Sequence, residues 1–169
     1  MRKGEIMQEN KEYTILDLFN DTDKFNRIAG AYNDLSFESF DNQLKIIKEE
    51  FYEFHDGHAT QDLVEICDGL IDTYITLFGY QRKLEEKYDI DFSAIMQKIA
   101  ENNLSKFLPG DNSALVSETI AEYAKKGQYV TSGYNHEYNV FVIRDAVTKK
   151  VKKPINFVPV DITKEVLGE

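Results

Sequence analysis

Cysteine, proline and glycine are all scarce in this sequence of 169 residues. The single cysteine, Cys67, has no second cysteine with which to form a disulfide within the chain, and this favours a reducing compartment. With only 3 prolines and 9 glycines, the chain favours a few long helices or strands over many short ones. No apolar run approaches the roughly 20 residues that a membrane-spanning helix needs, and none follows the charged start as in a signal peptide. These absences predict a cytoplasmic protein that does not bind a membrane.

Positive charge and glycine-rich loops are also in short supply. The chain has 20 Lys and Arg residues against 30 Asp and Glu residues, and its net charge of -10 argues against a nucleic-acid partner. It contains no Walker-type glycine loop and no G-x-G-x-x-G, so the two commonest phosphate-binding loops are not supported. Hydrophobic residues make up 42% and charged residues 30% of the chain, which is typical of a folded domain.

Apolar residues recur at helical spacing over most of the first 127 positions. One helix is predicted to begin after a cap at Ser39 or Asp41 and to stop near "HDGH", with Gly57 as its terminator. The next helix is predicted to follow a cap at Thr60 or Asp62. Its apolar face, expected to lie in the core, consists of Leu63, Ile66, Cys67, Leu70, Tyr74 and Phe78.

The last forty residues change to the alternating pattern of β-strands, first in "QYVTSG" and then in "YNVFVIRD". "FLPGDN" has the composition of a loop. The segment "DAVTKKVKKPINFVP" is expected to continue a hairpin. The sequence therefore predicts one domain over residues 1–169, mainly α, with a helical-bundle core at about 14–127 and a small C-terminal β-hairpin and tail at about 128–162.

Acidic residues are concentrated in the two central helices. Between Glu49 and Gln81 there are eight acids and no Lys or Arg: Glu49, Glu50, Glu53, Asp56, Asp62, Glu65, Asp68 and Asp72. Glu50 and Glu53 are three residues apart, as are Glu65 and Asp68, so each pair lies about 60° apart on its helix and converges on one patch. An ordinary solvated face usually places Lys four residues from Glu, and that compensation is missing here.

Two interpretations of these acids remain open. One is an ordinary solvent-exposed acidic face. The other is a magnesium site, because a short connection makes consecutive helices antiparallel and brings their carboxylates opposite one another. Mg²⁺ binds carboxylate oxygens and water, and it often shares its ligands with substrate phosphates. A di-iron bundle would need Glu-x-x-His pairs, which these helices lack.

Four ordered elements resemble a known family. "EEFYE" followed by "EICD" resembles the E-x-x-E and E-x-x-D motifs of the all-α NTP pyrophosphohydrolases, which include MazG, dimeric dUTPases and phosphoribosyl-ATP pyrophosphohydrolases. "NNLSKF" is similar to the family's Asn-x-Ser-Lys element. "DAVTKKVKKPINFVPVDI" is similar to its lysine- and proline-containing tail. The resemblance covers about residues 40–162, although the short spacing between Glu53 and Glu65 leaves little room for a specificity insert.

The resemblance implies Mg²⁺-dependent hydrolysis of a nucleoside triphosphate to the monophosphate and pyrophosphate, with Mn²⁺ able to replace Mg²⁺. It implies a homodimer or homotetramer. It assigns the metal ligands to Glu50, Glu53, Glu65 and Asp68, and catalytic roles to Glu49 and Glu50, with Glu49 either a ligand or the group that orients the attacking water. Asn103 and Lys106 would bind the substrate phosphates. Asp72 is either a supporting residue behind the ligands or a solvent-facing acid.

Two rival functions share parts of this pattern. A phosphoribosyl-ATP pyrophosphohydrolase would perform the same chemistry on another substrate. A helical interaction protein would use the acidic face to bind a basic partner and would catalyse nothing.

Overall fold

The computed structural model of the chain describes residues 12–168. Helices account for 61% of these residues, so the predicted mainly α fold with a small C-terminal antiparallel sheet is confirmed. The six helices are α1 (Ile15–Ile28), α2 (Phe37–Thr60), α3 (Leu63–Tyr88), α4 (Phe92–Leu104), α5 (Ser113–Lys125) and α6 (Thr163–Leu167). The three strands are β1 (Leu108–Pro109), β2 (Val130–Asn135) and β3 (Val140–Asp145).

The chain divides into two compact units, Met1–Ile90 and Asp91–Glu169. Helices α1 to α3 belong to the first unit. The second unit contains α4, α5, α6 and the sheet, so two helices that the sequence pattern grouped with the helical core belong to the same unit as the strands.

Helix α2 is longer at both ends than the sequence predicts. Its N-cap is Ser36, whose hydroxyl accepts a hydrogen bond from the backbone N–H of Ser39, so the helix begins before both predicted caps. It runs through Gly57 and ends at Thr60, followed by Gln61 in the left-handed conformation. The prediction that Gly57 terminates α2 was wrong. Glycine occurs there because a Cβ would lie 2.9 Å from the Cβ of Glu65 on the next helix.

Helices α2 and α3 form an antiparallel hairpin whose backbones touch. Asp62 caps α3 by accepting hydrogen bonds from two backbone N–H groups, as predicted. At Gly69 a Cβ would lie 2.6 Å from the backbone nitrogen of Phe54, so only glycine allows this approach. Farther along, the Gln43 amide donates to the Thr76 carbonyl at 3.0 Å. These pairs fix the register of the hairpin and confirm the antiparallel arrangement.

The other end of the hairpin is held by buried lysine contacts. Lys83 is buried, and its ammonium donates to the hydroxyl of Ser39 at 2.9 Å. Burial lowers the pKa of Lys83 from its ordinary value. The Lys87 ammonium donates to the Leu35 carbonyl and lies 4.7 Å from the ring centroid of Phe37. Lys83 and Lys87 therefore make their contacts at the end of the hairpin that is away from the acids Glu49, Glu50, Glu53, Asp68 and Asp72.

Helix α1 is attached to α3 by a ring stack and an ion-pair network. The rings of Phe19 and Phe78 are nearly parallel, with centroids 4.5 Å apart. Asp23 accepts hydrogen bonds from Arg27 and Arg82. Burial is the largest single influence on the pKa of Asp23 and raises it, but the two guanidinium groups together outweigh burial, so the pKa lies below its ordinary value. These contacts complete the first unit as a three-helix assembly.

The second unit is built on a sheet with strand order β1-β3-β2, all antiparallel. Its core consists of Leu108, Val116 and the fully buried Ile143, so one face of the sheet packs on α5. The predicted loop "FLPGDN" contributes the short strand β1, and α6 was not predicted. The expected hairpin continuation is reduced to a single bridge between Arg144 and Val151.

The apolar face predicted for α3 has the right period, but much of it is not buried. Cys67 is exposed, which corrects its prediction as a core residue. Tyr74, near the middle of the stripe, is 41% exposed, and Leu63 at its start is 75% exposed. Within residues 12–168, no helix has both the length and the apolar character of a membrane span.

We expect Gly69→Ala to lower the free energy of unfolding by about 2 kcal/mol, although alanine favours helix formation, because the Phe54 backbone cannot move aside. Gly79→Ala is the matched control in the same helix, since its Cβ would meet only the ends of the Asn26 and Gln43 side chains at 3.3 Å. Urea unfolding monitored by circular dichroism measures both. Equal stabilities of the two variants would contradict the close contact.

Candidate functional site

The predicted site lies along the seam between α2 and α3. Glu49, Glu50 and Glu53 follow one another on α2, and Asp68 and Asp72 lie on the facing stretch of α3. The contact between Gly69 and the Phe54 backbone lies beside this stretch, so it brings the acids of the two helices close to each other. The predicted juxtaposition of α2 and α3 acids is therefore present in the first unit.

Glu50 is at the centre of this group. Its side chain is partly buried, and its pKa is raised above the ordinary value of 4.5, first by burial and then by the negative charges of Asp72, Glu53, Glu49 and Asp68. Charges from both helices thus act on one carboxylate. Among residues 12–168, no basic side chain lies within 4 Å of any of these five carboxylates, since the ion pairs of the first unit involve Asp23, Asp56, Glu85 and Glu86 instead.

The structure reverses the relative importance that the sequence gave to Asp72 and Glu65 within the acidic group. Asp72, expected only as support, is partly buried and is the strongest like-charge influence on Glu50. Glu65 lies in the first turn of α3 against Gly57, about 10 Å along the helix axis from Glu50, because seven residues rise 1.5 Å each. Only the register of the hairpin reveals this, since both residues match acidic motif spacing.

The carboxylates are near one another but are not gathered into a ready coordination shell. In the part of the chain that the structure describes, no group of three or more His, Cys, Asp or Glu side chains is placed so that it could hold a metal ion. Glu49, Glu53 and Asp68 are exposed, so their side chains have room to rotate.

The predicted phosphate-binding pair lies in the second unit, with Asn103 in the last turn of α4 and Lys106 two residues beyond the end of that helix. The Lys106 ammonium donates to the side-chain oxygen of Asn103 at 2.6 Å. This partner is a neutral amide, and no carboxylate of residues 12–168 lies within ion-pair distance of Lys106. The positive charge of Lys106 thus remains available to an anion.

Comparison with known proteins gave no relatives. No family model matches the chain, and no match was found among curated proteins or solved structures.

The environment of Glu50 predicts a pH effect of definite sign. Between pH 4.5 and its raised folded-state pKa, the folded chain keeps a proton that the unfolded chain has lost, so the free energy of unfolding falls as pH rises. Above that window the charged carboxylate destabilises the fold. We therefore expect Glu50→Gln to be more stable than the parent chain at pH 7, with the difference shrinking toward pH 4.5.

Urea unfolding at a series of pH values measures this difference. Glu118→Gln, which changes an exposed glutamate on α5, is the control and should shift stability by less than about 0.5 kcal/mol at pH 7. A Glu50→Gln variant that is less stable than the parent at pH 7 would show that Glu50 has a favourable partner instead.

Proposed function

We propose that this chain is a Mg²⁺-dependent nucleoside triphosphate pyrophosphohydrolase, which releases the monophosphate and pyrophosphate. The observation that carries the proposal is the partly buried Glu50, which is influenced by acids of two helices and has no basic partner among the described residues. Such repulsion is costly in a structure that needs only an acidic surface, and a divalent cation relieves it. The resemblance of "EEFYE", "EICD" and "NNLSKF" to the all-α NTP pyrophosphohydrolases supports the same chemistry.

The donor set fits Mg²⁺ in its chemistry. The charged groups that raise the pKa of Glu50 are all carboxylates, which are hard oxygen ligands. Since Glu53 and Asp68 are exposed, rotation of these side chains toward Glu50 would assemble the ligands. When bound, the ion supplies charge neutralisation at the phosphate oxygens and acidifies its water.

We assign the ligand roles to Glu50, Glu53 and Asp68. We leave Glu65 out of the set because it lies about 10 Å along the helix axis from Glu50. We add Asp72 to the groups that support the ligands because of its strong influence on Glu50. Glu49 is assigned to hold the attacking water and accept its proton, since it is an exposed carboxylate next to Glu50 in sequence. Asn103 and Lys106 belong to the second unit, where they hydrogen-bond to each other, and their assignment as phosphate-binding residues stays a prediction of the resemblance.

Two rival functions make different demands on the same residues. A phosphoribosyl-ATP pyrophosphohydrolase would need the same acids but would reject ordinary nucleoside triphosphates. A non-catalytic interaction protein would need only an exposed acidic face, and it gives no reason for burying Glu50 among like charges. The cytoplasmic location, expected from the lone cysteine, stays a prediction.

We expect the purified chain to release pyrophosphate from at least one of the eight common ribo- and deoxyribonucleoside triphosphates when Mg²⁺ is present. Glu50→Gln and Asp68→Asn should each reduce the rate at least about tenfold, because loss of even a group that supports a metal ligand typically costs about 10- to 100-fold. Pyrophosphate detection by a coupled assay measures the rate.

Glu118→Gln serves as the matched control and should keep the parent rate. Mg²⁺ should also raise the melting temperature of the parent chain by preferential binding to the folded state, and this shift should vanish in Asp68→Asn. Absence of pyrophosphate release from all eight substrates, with no Mg²⁺-dependent change in melting temperature, would refute the proposal. Activity on phosphoribosyl-ATP alone would select the first rival.

We also propose that the chain forms a homodimer or homotetramer through the exposed apolar stripe of α3. Leu63, Cys67, Ile71, Tyr74 and Leu77 follow one another at spacings of three and four residues, and all are exposed in the single chain. A continuous apolar stripe on a helix is unusual on a monomer surface and marks an association surface. A second copy of the same helix would cover it with matching apolar side chains.

Size-exclusion chromatography with light scattering should give a mass of at least twice the 19.6 kDa of the chain. Tyr74→Glu should shift the protein to the monomer, because it places a charge in the middle of the stripe. Val147→Glu is the control, since Val147 is 86% exposed in a turn of the second unit and should leave the mass unchanged. A monomeric parent chain would eliminate this interface.

A further inference from the structure

The second unit contains a cavity that the proposed hydrolysis does not use. Its volume is about 490 Å³, which is within the range of pockets that hold small organic molecules. The side chains of Val140 and Val142 form its floor on β3, and Leu104, Phe107 and Tyr138 form its walls. The lining is therefore mostly apolar, and Arg144 provides its positive charge.

The alternation of side chains along β3 creates this cavity. Ile143 and Phe141 point to the core beside α5, so Val140, Val142 and Arg144 lie on the opposite face of the sheet. On that face, Val142 is paired with Gly133 of β2. A Cβ added at Gly133 would meet nothing within 4 Å, so the space above Val142 is open.

The wall that carries Tyr138 is fixed by hydrogen bonds. The side-chain oxygen of Asn135 accepts from the backbone N–H groups of Glu137 and Tyr138, at 3.0 and 3.1 Å. The Gly110 N–H donates to the Asn139 carbonyl at 2.9 Å and anchors the same turn to the loop after β1. A pocket with such a wall loses little conformational freedom when a ligand enters.

Arg144 has no counter-ion in the part of the chain that the structure describes. Within residues 12–168, no carboxylate lies within 4 Å of its guanidinium, and its single hydrogen bond is a long one, 3.4 Å to the Lys149 carbonyl. A guanidinium at the rim of an apolar cavity offers paired donors to a carboxylate or phosphate. The charge of the pocket therefore favours an anion, and its apolar lining, which includes the rings of Phe107 and Tyr138, favours a body that carries an aromatic ring.

We propose that this cavity is a binding site for a small anion with a planar ring, whose ring lies on Val140 and Val142 and whose anionic group pairs with Arg144. Aromatic carboxylates and nucleoside monophosphates share this chemistry. The proposal is independent of the pyrophosphohydrolase function, because neither Glu50 nor its neighbours take part.

Titrations followed by ¹H–¹⁵N NMR on the full chain test the site with three probes: 1-naphthoate, the neutral 2-naphthol, and AMP. We expect 1-naphthoate to shift the amide signals of Val140, Val142 and Arg144, and to bind at least about tenfold more tightly than 2-naphthol, since a charge-assisted hydrogen bond is worth that much. If AMP shifts the same signals more strongly, the ligand class is nucleotides. If only 1-naphthoate does so, it is aromatic carboxylates.

Two variants and one control separate this site from other apolar surfaces. Arg144→Gln should lower the affinity for 1-naphthoate at least about tenfold and leave that for 2-naphthol unchanged. Gly133→Leu should abolish binding of both, because its side chain fills the open space above Val142. Lys150→Gln removes an exposed charge of the neighbouring turn and should change neither.

The parent-like dispersion of the NMR spectrum shows whether each variant is folded, and Arg144→Met, which keeps the unbranched side chain without the charge, replaces Arg144→Gln with the same expected loss if that variant is not. The proposal is overturned if neither anion shifts the cavity signals, or if Arg144→Gln binds 1-naphthoate as well as the parent does.

Discussion

The contact between the backbones of α2 and α3 is the constraint on which the rest of the first unit depends. Gly57 and Gly69 let the two helices approach until no Cβ would fit between them. Two antiparallel helices this close have one register, and it places Asp72 and Asp68 beside Glu50. The acidic group is therefore a consequence of helix packing as much as of acidic composition.

The hairpin distributes its charges unevenly along its length. At one end, Lys83 donates a hydrogen bond to Ser39, and Lys87 donates one to the Leu35 carbonyl. Arg82, at the same end, forms ion pairs that hold α1. Farther along the seam, Glu50 lies among acids, with no basic side chain of residues 12–168 within ion-pair distance. Stability gained at the lysine end offsets repulsion at the acidic end, so a chain of marginal stability can keep such a group. Binding of a divalent ion would then be linked directly to folding.

Sequence periodicity was sufficient for the helices within the first 127 residues, the strands of the hairpin and the antiparallel pairing of α2 with α3, but not for α6. It failed where an outcome depended on neighbours. Gly57 has the composition of a helix terminator, but its role is set by Glu65 across the seam. Cys67 follows the apolar period, but nothing in the single chain buries it. Asp72 and Glu65 could not be ranked, because motif spacing says nothing about which acid lies level with Glu50. The site acids were thus foreseeable, and their relative importance was not.

The distribution of net charge bears on which form of a nucleotide this chain can accept. The first 90 residues hold 20 acidic and 10 basic residues, whereas the remaining 79 hold 10 of each, so the whole charge of -10 belongs to the helical unit. A free triphosphate is repelled by that unit over about a Debye length, roughly 8 Å at physiological salt. A triphosphate that already carries Mg²⁺ has part of its charge neutralised and brings the cation that the Glu50 group lacks. In the proposed reaction the metal complex is therefore the species that this surface favours, and excess free nucleotide would compete with the carboxylates for the ion.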